Sequence, residues 1–192
     1  MPRKTRVRLD KNSVVLAAVE ILNTEGVQAL TLSHLAEKLG IQTPSLYNHV
    51  DGLTGLQQEL AVLNARLLAD RLGEAAIGKS GPGLFMNASQ VFREYVKEYP
   101  GLYMSTLRSS GMQQVQNPNL QREEERMMKV GLAIMSSLGL QGEDAVHGLR
   151  AFRSMVHGFA TLEVAGGFGL PQDCDESFRR LVSALVAGLQ KN

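Results

Sequence analysis

Gln42, Thr43, Ser45, Tyr47, Asn48 and His49 crowd into residues 42–49. All are hydrogen-bonding side chains of the kind that reach base edges and phosphates. A second group lies upstream, where Arg3, Lys4, Arg6, Arg8 and Lys11 face the single acid Asp10. A solvated tail is the plain reading of such a run; an arm that grips phosphates or enters the minor groove is the sharper one. The formal net charge of the whole chain is only +1. Positive charge for a nucleic acid must therefore be local, and the arm supplies it.

Other chemistries fit less well. Gly73–Ser80, GEAAIGKS, matches the phosphate-loop pattern letter for letter. That device needs a strand before it and a helix starting at its end. Here a helical pattern precedes it and Gly81-Pro82-Gly83 follows. His34, His49, His147 and His157 make neither an HExxH pair nor a ligand cluster. Cys174 stands alone in a polar loop between Asp173 and Asp175, a poor setting for a nucleophile. Glu123, Glu124 and Glu125 read as a solvated run balanced by Arg122 and Arg126. The expectation is no enzyme, no metal and no cofactor. One cysteine rules out an internal disulfide and fits a reducing cytoplasm. No apolar run follows the basic N-terminus and none reaches ~18 residues, so neither a secretory signal nor a membrane span is expected.

The elements that must position these residues are helical. Val15, Ala18, Val19 and Leu22 form one apolar stripe, ended by Gly26. Leu32, Leu35, Ala36 and Leu39 form a second, ended by Gly40. A short third helix spans about Pro44 to His49, with Thr43 as its expected N-cap and Pro44 at its first position. Leu56, Leu60, Leu63 and Leu67 mark a longer helix. GKSGPG, residues 78–83, reads as a loop. Beyond it come a stripe from Phe85 to Tyr99, a short helix from about Leu102 to Ser110, and a helix through Met127, Gly131, Ile134 and Leu138. A long helix over about 143–165 and a last one from Phe178 to Leu189 complete the chain. No period-two run predicts a strand. Two short helices around a Gly, with small Ala36 at the crossing, are the layout of a helix-turn-helix, which seats its second helix in the major groove. Two ordinary bundle helices joined by a Gly turn would read the same way.

Residues from about 10 to 60 resemble the DNA-binding domain of the TetR family of bacterial transcriptional repressors. The resemblance is carried by LTLSHLAEKLGIQTPSLYNHV and, within it, by Leu46-Tyr47, His49 and Val50. It implies that Ser33 and Gln42, Thr43, Pro44 and Ser45 approach bases. Tyr47 and His49, with Asn48 between them, brace the backbone, and Thr31 starts its helix near a phosphate. The family usually carries a phosphate-gripping Lys shortly after the His-apolar pair. This chain reads Asp51-Gly52-Leu53-Thr54 there. Heavier reliance on the arm, Arg3, Lys4, Arg6 and Arg8, is therefore expected.

The second half is similar to the WHG subtype of the same family, through FREYVKEYPGLY and Val156-His157-Gly158-Phe159, although the chain has no Trp. The resemblance implies an all-α fold of about nine helices. Residues 1–55 would form the three-helix reading domain with its arm. Residues 56–192 would form a bundle for ligand binding and dimerisation, and a helix over 54–72 would connect the two. Seven of the eight methionines lie at or beyond Met86, and Met suits a plastic pocket as well as a core. Tyr103, Met104, Leu107, Met128, Met135, Phe152 and Met155 are the candidates for lining a cavity. Val156, Phe159, Ala160, Val164, Phe178, Leu181, Val182, Leu185, Val186 and Leu189 are the candidates for a dimer interface, with Gly158 allowing close approach. The expected protein is a cytoplasmic homodimer on a near-palindromic operator in double-stranded DNA, released by a small apolar or aromatic effector. The alternative is a constitutive or architectural DNA-binding protein without an effector.

Overall fold

The structure, a computed structural model, describes residues 9–107 and 117–190. All the regular elements among them are helical: nine α-helices and one 3-10 turn, as the apolar spacing predicts. The chain divides into two compact units.

The first unit holds residues up to Ala61 and the segment that returns at Gly101. Its first helix, α1 (Lys11–Glu25), starts at a reciprocal cap, in which Ser13 N–H donates to Asp10 Oδ1 at 2.8 Å and Asp10 N–H donates to Ser13 Oγ at 2.9 Å. The 3-10 turn Val27–Ala29 leads to α2 (Leu32–Leu39) and α3 (Thr43–Leu46). Val14, Val15, Ala18, Ile21, Leu22, Leu35, Ala36, Leu46 and Val50 are buried, so the predicted stripes do form the core. Helix α4 (Gly52–Ala75) begins in this unit and continues into the second.

The segment from Gly101 belongs here through its backbone. It opens α6 (Pro100–Leu107), whose first N–H groups have no partner inside the helix. Asn23 of α1 supplies one: its Oδ1 accepts from Gly101 N–H and Leu102 N–H, each at 3.0 Å. A Cβ at Gly101 would stand 1.8 Å from the Leu22 carbonyl oxygen, so only glycine allows this approach. The expected boundary at 55/56 thus differs from the observed division. Contacts distant in sequence decide it, and periodicity carries no record of them.

The second unit holds the rest of α4 with α5 (Gly81–Glu98), α7 (Pro118–Ser137), α8 (Gly142–Val164) and α9 (Cys174–Leu189). Phe85 and Phe92 of α5 meet Phe152 of α8, with ring centroids 5.1 and 6.1 Å away. Helices α7 and α8 form a tight hairpin: a Cβ at Gly131 would lie 2.7 Å from Leu149 Cδ1, and one at Gly148 would lie 3.0 Å from Met135 Sδ.

Three local expectations change. Gly81, Pro82 and Gly83 form the first turn of α5 rather than a loop; proline is tolerated there because no N–H is needed. Thr43 lies inside α3 and Gln42 is the N-cap, with no side-chain cap bond. Regular helix in α3 also stops at Leu46, before the expected His49. Tyr47 N–H to Pro44 O (3.3 Å) and His49 N–H to Leu46 O (2.9 Å) continue it as tighter turns.

Candidate nucleic-acid interface

Thr31 caps α2 by accepting from His34 N–H at 3.1 Å. Helix α2 ends at Gly40 in the left-handed region (φ 67°, ψ 33°). Ile41 N–H then donates to Ala36 O at 3.0 Å, closing the C-terminal cap and aiming the chain into α3. Two surface contacts link α2 to α1: His34 Nε2 lies 3.0 Å from a Glu25 carboxylate oxygen, and Lys38 Nζ forms an ion pair with Glu20 at 2.8 Å. Lys11 pairs with Glu59 of α4 at 2.8 Å, so this member of the basic run is engaged within the fold.

Leu46 is fully buried, and this anchors α3. The residues around it point elsewhere. Thr31, Ser33, Gln42, Pro44, Tyr47 and Asn48 are exposed, whereas Thr43, Ser45 and His49 are half-buried. Tyr47 keeps 59% of its surface, far more than a core aromatic would. Its ring lies over Gly52, where a Cβ would sit 3.8 Å from Cε1. The predicted polar residues therefore share one helix-turn-helix, with donors and acceptors free for an external partner. Leu53, where the resemblance expects a cation nearby, is 37% exposed, and Asp51 beside it is exposed. Arg3, Lys4, Arg6 and Arg8 lie outside the described residues.

Comparison with known proteins agrees with this geometry. The model of the tetracyclin repressor-like C-terminal domain matches residues 85–185. An uncharacterized HTH-type transcriptional regulator of Mycobacterium tuberculosis is 30% identical, covering 96% of this chain and 83% of that protein. The chain belongs to the TetR family of transcriptional regulators.

A second HTH-type regulator, from Bacillus subtilis, is 28% identical over 97% of this TetR-family chain and 96% of its own length. The class D tetracycline repressor protein of Escherichia coli is 38% identical over 48% of this chain and 42% of its own. Among solved structures, a Rhodococcus protein of unknown function superposes with a TM-score of 0.82 at 18% identity, over 97% of this chain and 100% of that one. A TetR variant from Acinetobacter baumannii in complex with minocycline gives 0.70 at 24% identity, over 96% and 98%. These likenesses support the all-helical fold. The phosphate-loop string falls where α4 ends and α5 begins, preceded by a helix. Among the described residues no group of three or more His, Cys, Asp or Glu is placed to hold a metal. No described helix is long and apolar enough to cross a membrane.

The regulator's expected ligand residues fall in both units. Tyr103, Met104 and Leu107 lie in the first unit, and Met128, Met135, Phe152 and Met155 in the second. Met104 and Met128 are exposed, at 43% and 52% of their surface. Tyr103, Met135 and Phe152 are buried, and Leu107 and Met155 half-buried. A cleft of about 50 Å³ in the first unit is lined by Leu22, Val27, Leu30, Gln57, Leu60, Ser105 and Thr106. It is far smaller than the ~300 Å³ lower range of drug-sized sites.

The dimer candidates also divide. Val156, Phe159, Ala160, Phe178, Val182 and Val186 are buried in the protomer itself, because α5 occupies the α8–α9 groove. Val164 and Leu181 are exposed, and Leu185 and Leu189 half-buried. Gly158 has nothing within 4 Å of a Cβ position, so it serves no close approach inside the chain.

The sequence reading passed over what fills that groove. Arg93 of α5 is 1% exposed. Its Nε and Nη2 donate to both oxygens of Glu163 at 2.7 Å, and Nη1 reaches Asp175 at 2.8 Å. The guanidinium lies 5.4 Å from the Phe159 ring and 4.9 Å from that of Phe178. Hydrogen bonds from Arg93, joined by Lys97, hold the Glu163 carboxyl below the usual carboxylate range despite burial. The one hint was a cation on the apolar stripe between Phe92 and Tyr95.

Proposed function

We propose that the protein is a repressor that binds a near-palindromic operator as a homodimer and leaves it when a small apolar or aromatic effector binds. The observation that carries the DNA-binding part is the exposed row of Ser33, Gln42, Pro44, Tyr47 and Asn48 on a helix-turn-helix whose Leu35, Ala36 and Leu46 are buried. Gln42, Pro44 and Ser45 approach base edges, Tyr47 and His49 the backbone, and the arm supplies the phosphate contact that Leu53 does not. Leu181 and Val164 give a second copy an apolar surface on α9 and α8. Two reading heads about one helical turn apart, ~34 Å, then require two-fold related half-sites. Assignment to the WHG subtype rests on FREYVKEYPGLY and Val156–Phe159 alone, and a cytoplasmic site of action follows from DNA as the partner.

A selection from random duplex DNA, run with and without a metabolite library, tests this. The expected product is an inverted repeat whose recovery falls with particular metabolites. Recovery of no preferred sequence, or of one without two-fold symmetry, sinks the reading. A constitutive binder without effector is the second reading. It is favoured by the close packing of Tyr103, Met135 and Phe152, each at most 3% exposed. Its mark is an operator affinity indifferent to the whole library.

A further inference from the structure

Ser89, Arg93, Thr106 and Glu123 are the buried polar or charged residues among those described. Three find their partners inside the chain. Ser89 Oγ donates to Phe85 O at 2.8 Å, Thr106 Oγ1 lies 3.0 Å from Tyr103 O, and Arg93 is held as above. Glu123 differs. It sits on the inward stripe of α7 with Leu120, Met127, Gly131 and Ile134, at a spacing that would otherwise carry an apolar residue. Its side chain is 8% exposed.

The two flanking arginines pair with it only at the long end of ion-pair distance. Arg122 Nη2 stands 3.4 Å from Oε1, with its own side chain 74% exposed. Arg126 Nη1 is 3.5 Å from Oε2 while its Nη2 is committed to Asp70. Oε2 has no hydrogen-bond partner among the described residues. Among the described residues, desolvation of that oxygen is therefore compensated only in part, by the Arg126 charge at 3.5 Å, a condition that native structures rarely keep without a use.

We infer that Glu123 anchors the effector, and that the effector is an organic cation: a protonated amine or amidine on an apolar or aromatic body. This rests on the effector reading above and narrows it. An ammonium N–H gives Oε2 the charge-assisted bond of about 2.7–2.9 Å that Arg126 is too far away to make. The apolar body lies along Leu120 and Met127, where a flexible thioether adapts to its shape. A neutral alcohol of the same shape gives Oε2 a hydrogen bond without the opposite charge, and an anion is repelled.

Three probes of one shape test it on the full chain: 1-naphthylmethylamine, 1-naphthylmethanol and 1-naphthoate, titrated at neutral pH by calorimetry. The amine is expected to bind about tenfold or more tighter than the alcohol, and naphthoate weakest. Glu123→Gln should bring amine and alcohol within about threefold, leaving the alcohol's affinity and the selected operator's affinity unchanged. Equal binding of amine and alcohol, or a preference that survives Glu123→Gln and Glu123→Ala, overturns the anchor. Failure of all three to bind overturns it as well. The outcomes separate it from the broader reading. A neutral probe that binds and weakens operator affinity keeps an effector and removes the charge. Operator affinity unmoved by any probe or library member removes the effector itself.

Discussion

At Arg93, two carboxylates and two aromatic rings compensate a charge that burial alone would expel. Arg93→Ala would leave Glu163 with Lys97 as its remaining partner and is expected to destabilise by about 3 kcal/mol, read from urea unfolding at pH 7. The pH dependence follows from Glu163. Its folded value is depressed, so its stabilisation is complete above the unfolded value, near pH ~4.3, and is lost as pH falls through the folded value. Glu163→Gln should be less stable than the native chain at pH 7, with the gap shrinking as pH falls below about 4. A gap that widens in acid would refute the pairing. Gly101 is the second sensitive residue. Any side chain there meets the Leu22 carbonyl, so Gly101→Ala should destabilise by on the order of 3 kcal/mol or more in the same assay. Neither residue advertises its role in the sequence. Arg93 looks like one more surface arginine, and Gly101 like a plain turn after proline.

Among the elements, α2 and α3 were the most legible. Thr31, Ala36, Gly40 and Leu46 carry a local code of cap, crossing, left-handed turn and anchor, and each does that job in the fold. The start of α3 was misplaced because Thr43 and Gln42 both precede or flank a proline, and only backbone bonds separate a cap from a first-turn residue. Exposure of Gln42 leads to a sharp expectation. Gln42→Ala should relax preference at one position of each half-site by about 1–3 kcal/mol, measured on single-base variants of the selected operator. Deleting residues 1–8 should act differently, weakening binding to every sequence and flattening the dependence of log affinity on log salt. An unchanged slope would mean that the arm is a solvated tail and that Leu53's neighbours supply the phosphate contacts.

For the molecule as a whole, the apolar residues of α8 and α9 were too many for one core face, and the sequence reading placed the excess between subunits. Most of it is consumed inside, against α5. What remains outward is narrower: Leu181 and Val164, flanked by half-buried Leu185 and Leu189. Scattering at micromolar concentration should give the mass of a dimer, and Leu181→Glu should shift it toward the monomer with α-helical content retained. A mass unchanged by Leu181→Glu would move the contact to another face.

Local information determined the helices, the reading head and its exposed polar row, because caps, turns and 3.6-residue periodicity act over a few neighbouring residues. That pattern alone fitted two ordinary bundle helices equally well, and the resemblance of residues 30–50 to the TetR family placed the chain with DNA-binding regulators. Partnerships far apart along the chain were decided by the tertiary structure. Asn23 caps a helix that begins at residue 100, Arg93 draws α8 and α9 together, and Glu123 is buried within a run of charges that reads as solvated. Such pairings depend on which helix faces meet in space, and a one-dimensional pattern of apolar spacing gives every face the same signature.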